Sequence, residues 1–364
     1  MNISEKLKLA RKHSGLTLRQ VSDRVGIDDS CLSSYENGHT QPRLSQLSKI
    51  AMVYHLPLSF FFEESNSITT QAVLWRNKPE NEKEIQAEFL QLCCQYKQLE
   101  LWANERPNRP LPDLDEHENV LEYKEASILS NRVRDVMGLG KYPGKSLQVT
   151  LEEVYGIKVF HLDLGDLGTA ACAKSPFFGN AILLNVRCSQ WRRNHDLAHE
   201  LFHLLTWERY QHQSGICEPD QQEEKLATCF AGNLLLPYES VLESIYKLTD
   251  KEKKITLSQL DSVARQFDVS LESLLWRMHF LFYWKEEQTR GYIEEAKEYV
   301  RQTQRIDSPR PSLYPERYRA LAIRVFRKGE ISMRRFAQLM GISRKEAEQY
   351  MDRDVDHEIP TPAA

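Results

Sequence analysis

No apolar run in this chain approaches the ~18 residues needed to cross a bilayer. The N-terminus, MNISEKLKLARK, has neither a long apolar stretch nor a small-residue cleavage site. Membrane-spanning and secreted readings are therefore set aside, and a cytoplasmic protein is expected. Cysteine is sparse and odd in number: seven residues, Cys31, Cys93, Cys94, Cys172, Cys188, Cys217 and Cys229, with no C-x-x-C spacing. That pattern excludes a disulfide framework and a thiolate metal knuckle, and it fits a reducing compartment. Positive charge is not in excess either. The net charge is −4, so any contact with nucleic acid must come from a local patch. Internal repeats and low-complexity blocks are also missing. What is present is an ordinary globular mixture, 41% hydrophobic and 27% charged over 364 residues. That is enough for two or three domains, each with its own core.

The first 64 residues read as a small helical bundle. Thr17 caps a helix that carries Val21 and ends at Gly26, and a second helix runs from Asp28 to Asn37 before Gly38. Two short helices around a glycine turn make the helix-turn-helix arrangement. Residues 65–82 read as a polar connector, followed by a long helix over about 83–104 and a proline-rich break at 106–113. A helix is expected over 118–137. Strands are expected at 157–160 and at ILLN, 182–185, with 165–179 a loop or edge strand. Further helices follow over 190–206, 222–236, 239–247, 256–267 and 270–283. A second helix-turn-helix-like pattern surrounds Ile331, Gly341 and Tyr350, and the tail after Asp352 is polar.

The chemistry concentrates in HELFH, residues 199–203. His199 and His203 are four apart, so a helix puts both imidazoles on one face within reach of one metal ion. Glu200 lies next to the first ligand, where it can act on water without ligating the metal, as a general base must. Zinc needs a third protein ligand and an open fourth position. Glu208, His212, Glu218, Asp220, Glu223 and Glu224 are the candidates. Glu224 is preferred because Ala227, Thr228 and Ala231 on its face let that helix approach closely. Glu223 is its rival by a one-residue change of phase. The bland alternatives are two satisfied histidines and a pair of solvated carboxylates at a helix start. The expected chemistry is zinc-assisted attack of water on a peptide carbonyl, with Glu200 carrying the proton. The strand and glycine-containing loop before the helix are read as a place where an extended substrate pairs by strand addition.

The run ILLN…WRRNHDLAHELFHLL, followed by E-x-x-A-x-x-F-A…LLLP, resembles the ImmA/IrrE family of metallopeptidases. The resemblance covers roughly residues 120–285. It implies zinc on His199, His203 and Glu224, and Glu200 as the base. Thr228 stands where that family usually has Asn or Asp, a position that supports the ligands from behind. The resemblance also implies a substrate, a helix-turn-helix repressor whose cleavage releases stress, mobile-element or phage-defence genes. Residues 16–38 resemble the Cro/repressor (XRE-like) helix-turn-helix family, with Arg19, Ser30 and Ser33 as candidate DNA contacts. Residues 1–64 hold eight Lys/Arg against seven Asp/Glu, which leaves docking of a protein as the other reading.

The fold expected is thus α+β and mostly helical: a helix-turn-helix bundle over 1–64, a helical linker over 65–119, a zincin-like zinc metallopeptidase domain with a small sheet over 120–285, and a C-terminal helical region over 286–364. Cys172, just before ILLN, is a candidate cysteine switch, a thiolate filling the fourth zinc position at rest. A small packing residue is the plainer reading. The C-terminal basic residues Arg317, Arg319, Arg324, Arg327, Lys328, Arg334, Arg335, Arg344 and Lys345 read as a solvated face or a partner surface. Oligomer formation is left open. The competing functions are a transcription factor whose peptidase-like domain is structural or ligand-sensing, and an antitoxin-like binding protein.

Overall fold

The computed structural model describes residues 2–13, 16–54, 58–62, 73–105, 109–112, 122–175, 177–210, 219–249, 254–303 and 310–353. His212 and Glu218, two of the expected ligand candidates, and the tail after 353 lie outside the described residues. Contact gathers the chain into two compact units, residues 1–94 with 107–313 and residues 95–106 with 314–364.

The first unit opens with α1 (Ile3–His13), α2 (Leu18–Val25), α3 (Asp29–Glu36) and α4 (Leu44–Val53). Thr17 and Gln20 form a reciprocal capping box at the start of α2, and Gly26 closes it in the left-handed region at φ +68. Val21, Leu32, Leu47 and Ile50 meet in one apolar cluster. Arg11 donates twice to the largely buried Glu36, at 2.7 and 2.9 Å, and so ties α1 to α3.

Next come β1 (Val73–Trp75), α5 (Glu82–Trp102), α6 (Tyr123–Met137), α7 (Pro143–Glu153), β2 (Lys158–Leu162), β3 (Ala170–Ser175) and β4 (Gly179–Asn185). The sheet order is β1-β3-β4-β2, with β2 parallel to β4 and the other pairs antiparallel. Ala181 to Asn185 are all buried, as a strand covered on both faces must be. Asn185 holds the loop between β2 and β3. Its Nδ2 donates to the carbonyls of Gly165 at 2.8 Å and Gly168 at 2.7 Å, and its Oδ1 accepts from Leu164 N at 3.3 Å.

From the end of β4 the chain enters α8 (Gln190–Thr206), which packs against the sheet, and then α9 (Gln221–Leu235), α10 (Tyr238–Leu248), α11 (Leu257–Phe267), α12 (Leu271–Phe282) and α13 (Glu286–Thr303). Leu197, Leu201 and Phe202 of α8 join Leu226, Phe230 and Leu234 of α9 in the main core. At the start of α7 a Cβ on Gly144 would stand 2.5 Å from the Phe267 carbonyl oxygen. Gly144→Ala is therefore expected to cost about 1–3 kcal/mol by overpacking, read as a lower urea midpoint at unchanged m.

In the second unit, the last turns of α5 pack with α14 (Glu316–Arg327), α15 (Met333–Met340) and α16 (Arg344–Arg353). Tyr96 meets Tyr318 edge to face at 5.3 Å. Ser332 caps α15 and Gly341 ends it at φ +63, the helix-turn-helix-like pattern read around that glycine. The basic residues of this region are partly spent internally. Arg317 bonds Glu100 at 2.8 Å and Glu105 at 2.9 Å, Arg324 bonds Glu105, and Lys328 donates to Ala103 O.

The architecture is α+β and mostly helical, as expected. Three elements differ from the sequence reading. β1 lies in what reads as a polar connector, β3 is an inner strand of the sheet where 165–179 reads as a loop or edge strand, and α7 is an additional helix. Compact contact of the first unit also runs past α13, beyond the boundary expected at 285, because Ile293 and Ala296 join its core.

Candidate metal centre

α8 carries the site. His199, Glu200 and His203 are 0%, 1% and 1% exposed. The Nε2 atoms of the two histidines face each other at 3.2 Å. Glu224, from the first turn of α9, brings Oε2 to 3.2 Å from His199 Nε2 and Oε1 to 3.3 Å from His203 Nε2. One donor atom of each of the three residues lies within 4.8 Å of the others.

The outward ring nitrogens fix the tautomers. His203 Nδ1 donates to Glu223 Oε1 at 2.7 Å. The Thr228 hydroxyl donates to the Glu224 carbonyl at 2.9 Å, so its oxygen is left to accept from His199 Nδ1 at 3.5 Å. With both Nδ1 atoms protonated, both Nε2 lone pairs are directed at one point, with the carboxylate beside them. This is a donor set of the kind zinc takes, and its outer partners are of the kind that orient ligating histidines.

The electrostatics favour positive charge at that point. Burial acts to lower the His203 pKa, but the Glu223 and Glu224 carboxylates outweigh it and raise it to about 9. Burial acts to raise the Glu224 carboxyl, yet its hydrogen bonds to the two imidazoles bring it down to about 2. His199 is lowered to about 3, chiefly by burial. Glu200 stands apart from this group. Burial pushes its carboxyl up to about 7, its Oε1 has no partner among the described residues, and the Cys172 thiol hydrogen-bonds to the carboxylate.

Comparison with known proteins fits this geometry. Residues 7–61 match the helix-turn-helix family model, and residues 152–279 match the model of the IrrE N-terminal-like domain. The chain joins a helix-turn-helix domain to an IrrE N-terminal-like domain. The HTH-type transcriptional regulator PuuR of Escherichia coli (strain K12) is 28% identical over 109 residues, 29% of this chain and 53% of that protein. An uncharacterized HTH-type transcriptional regulator of Sinorhizobium medicae is 26% identical over 65 residues, 18% of this chain and 47% of that protein. The chain spans about half the length of the curated relatives it matches. A solved Mycobacterium tuberculosis transcriptional regulator aligns over 51% of each chain at 17% identity and a TM-score of 0.32.

Within the IrrE-like domain, the two rival carboxylates face different partners. Consecutive helical residues point about 100° apart, so Glu224 faces the paired Nε2 atoms while Glu223 holds His203 from behind. Among the other candidates, Glu208 pairs with Lys174 at 2.8 Å, and Asp220 caps α9 by accepting from the Gln222 and Glu223 amides at 2.8 Å. Cys172 is not in the three-residue group. Burial holds its thiol well above the usual range, the adjacent Glu200 carboxylate adds to this, and the neutral S–H is turned to that carboxylate.

A second cluster, not evident from the sequence, flanks the site. Arg76, just after β1, donates to Asp196 and lies 3.3 Å from His195 Nδ1. His195 and Asp196 sit one turn before His199 and Glu200, and that i, i+4 repetition was the available signal. In the helix-turn-helix domain Arg19 and Ser30 are exposed and Ser33 is partly buried, where it accepts from Asn37 Nδ2 at 3.3 Å.

Proposed function

We propose that the chain is a regulated zinc-dependent metalloendopeptidase that cleaves a helix-turn-helix repressor and so derepresses stress, mobile-element or phage-defence genes. The observation that carries this reading is the convergence of His199 Nε2, His203 Nε2 and the Glu224 carboxylate beside a buried, partly unpartnered Glu200. His199, His203 and Glu224 would hold the zinc, which when bound supplies Lewis-acid polarisation of a carbonyl and acidification of water. Glu200 takes the proton of the attacking water at Oε1, the oxygen with no partner among the described residues, and returns it to the leaving amine. Cys172 keeps the other carboxylate oxygen oriented. Glu223 and Thr228 hold the two imidazoles in the tautomer that presents Nε2. The six described cysteines are free thiols, which suits the cytoplasm.

The helix-turn-helix domain would recruit DNA through Arg19, Ser30 and Ser33, or dock a repressor of similar fold. The regulator names of the relatives favour a second reading, in which the chain acts as a DNA-binding regulator and the IrrE-like domain senses a ligand. Zinc analysis of the purified chain, together with incubation beside candidate small repressors, separates the two. Equimolar zinc and cleavage that a chelator stops and zinc restores are expected. Bound zinc with every candidate left intact, but specific DNA retention, would favour the regulator.

A further inference from the structure

β3 runs beside α8, and its side chains mark the level of the site. Cys172 meets Glu200, and Lys174 meets Glu208. One side of β3 pairs with β4. The other side, its outer edge, is taken by β1, a three-residue strand from a distant part of the sequence. The pairing is antiparallel, with Val73 opposite Ala173, Leu74 opposite Cys172 and Trp75 opposite Ala171, and it continues through Arg76 N to Ala170 O at 3.1 Å. Side chains two apart share a face. Leu74 is therefore buried on the Cys172 side, and Arg76 reaches Asp196 and His195 of α8.

This strand is short and carries one uncompensated polar atom: the buried Trp75 indole N–H has no hydrogen-bond partner among the described residues. An unsatisfied buried donor costs about 1–3 kcal/mol. Main-chain hydrogen bonds made by β1 can be remade one for one by another extended peptide. The edge that β1 covers is also the edge that leads to Glu200.

We propose that the outer edge of β3 is the peptide-binding edge of this domain, and that β1 is the chain's own occupant of it. The ligand class follows from β1 itself: an extended segment, antiparallel to β3, with an apolar side chain opposite Cys172 and a basic one two residues later against Asp196. Binding a substrate there requires β1 to leave, so β1 restrains the peptidase. That last consequence rests on the peptidase reading, whereas the exchange of strands does not.

The test uses the full chain and a fluorescein-labelled peptide of sequence QAVLWRNK, residues 71–78, followed by anisotropy. A tethered strand competes at an effective concentration in the millimolar range, so wild type is expected to bind the peptide weakly. Arg76→Ala, which frees the anchor, is expected to bind it at least about tenfold tighter, and a peptide with alanine in place of its arginine is expected to lose that gain.

Val73 and Ala173 form a non-hydrogen-bonded pair, because the bonded pairs alternate from Arg76–Ala170. Such Cα atoms lie about 4.5 Å apart, within disulfide reach. The double variant Val73→Cys with Ala173→Cys, combined with Arg76→Ala, is expected to bind no peptide when oxidised and to bind when reduced. Should Arg76→Ala fail to fold, the cysteine pair in the otherwise native chain carries the same comparison at high peptide concentration. Equal peptide binding by the oxidised and reduced forms, or wild-type cleavage by the oxidised form, would overturn the strand assignment and leave the peptidase standing. Peptide exchange that proceeds as expected supports the assignment, even where no zinc-dependent cleavage is found; that second result counts against the peptidase alone.

Discussion

Replacing Glu200 by glutamine is expected to lower the rate of repressor cleavage about 10²–10⁴-fold, the range over which general acid–base groups act, with zinc content and fold unchanged. Glu200 is outside the three-residue ligand group, so its removal takes nothing from the metal. Glutamine has the same shape, and the Cys172 thiol can donate to its carbonyl as it does to the carboxylate. What glutamine lacks is an oxygen that can accept a proton. The fold should not suffer, because Glu200 is fully buried with Oε1 unpartnered, a setting that already opposes the charge. Metal analysis, thermal unfolding and cleavage rate on a single preparation check this. Cleavage within about threefold of wild type, with zinc in place, would remove Glu200 from the role of base.

The parts of this molecule legible in sequence are those where local periodicity and local chemistry coincide. The α8 helix is one, since the His199–His203 spacing is at once a helical repeat and a ligand pair. The α2–α3 unit is another, because Thr17 and Gly26 mark its ends with cap chemistry that depends only on neighbours. Composition leaves β3 between loop and edge strand. Its run of Ala170, Ala171, Cys172 and Ala173 is buried on both faces and has the small residues of close packing, not the branched residues that announce a strand. β1 was hidden by length, since three residues acquire strand character only from a partner distant in the sequence. Of the Arg76–Asp196 pair, only Asp196 is marked locally, by its i, i+4 repeat with Glu200, and nothing near Arg76 in the sequence points to it. α13 falls in the C-terminal region expected to be helical, and Thr289, Ile293 and Ala296 are its buried residues. The choice between Glu223 and Glu224 depends on helix phase, which adjacent identical residues cannot reveal.

That choice yields the second large effect. Glu224→Ala is expected to leave the chain without zinc after gel filtration, where wild type retains an equimolar amount. Glu223→Gln is expected to retain zinc with about 10–100-fold weaker affinity, the usual cost of losing a carboxylate that orients a ligating histidine. Glu224 contacts both Nε2 atoms, so its loss removes one of three ligands. Glu223 meets His203 at Nδ1, on the far side of the ring from the paired Nε2 atoms. Glutamine at 223 can still accept the Nδ1 proton through its carbonyl, which keeps the tautomer but withdraws the negative charge that makes the imidazole a better donor. Competition against a chelator of known zinc affinity measures both variants on one scale. If Glu223→Gln lost the metal and Glu224→Ala kept it, the two residues would have exchanged roles, and α9 would have to be turned by one residue against α8.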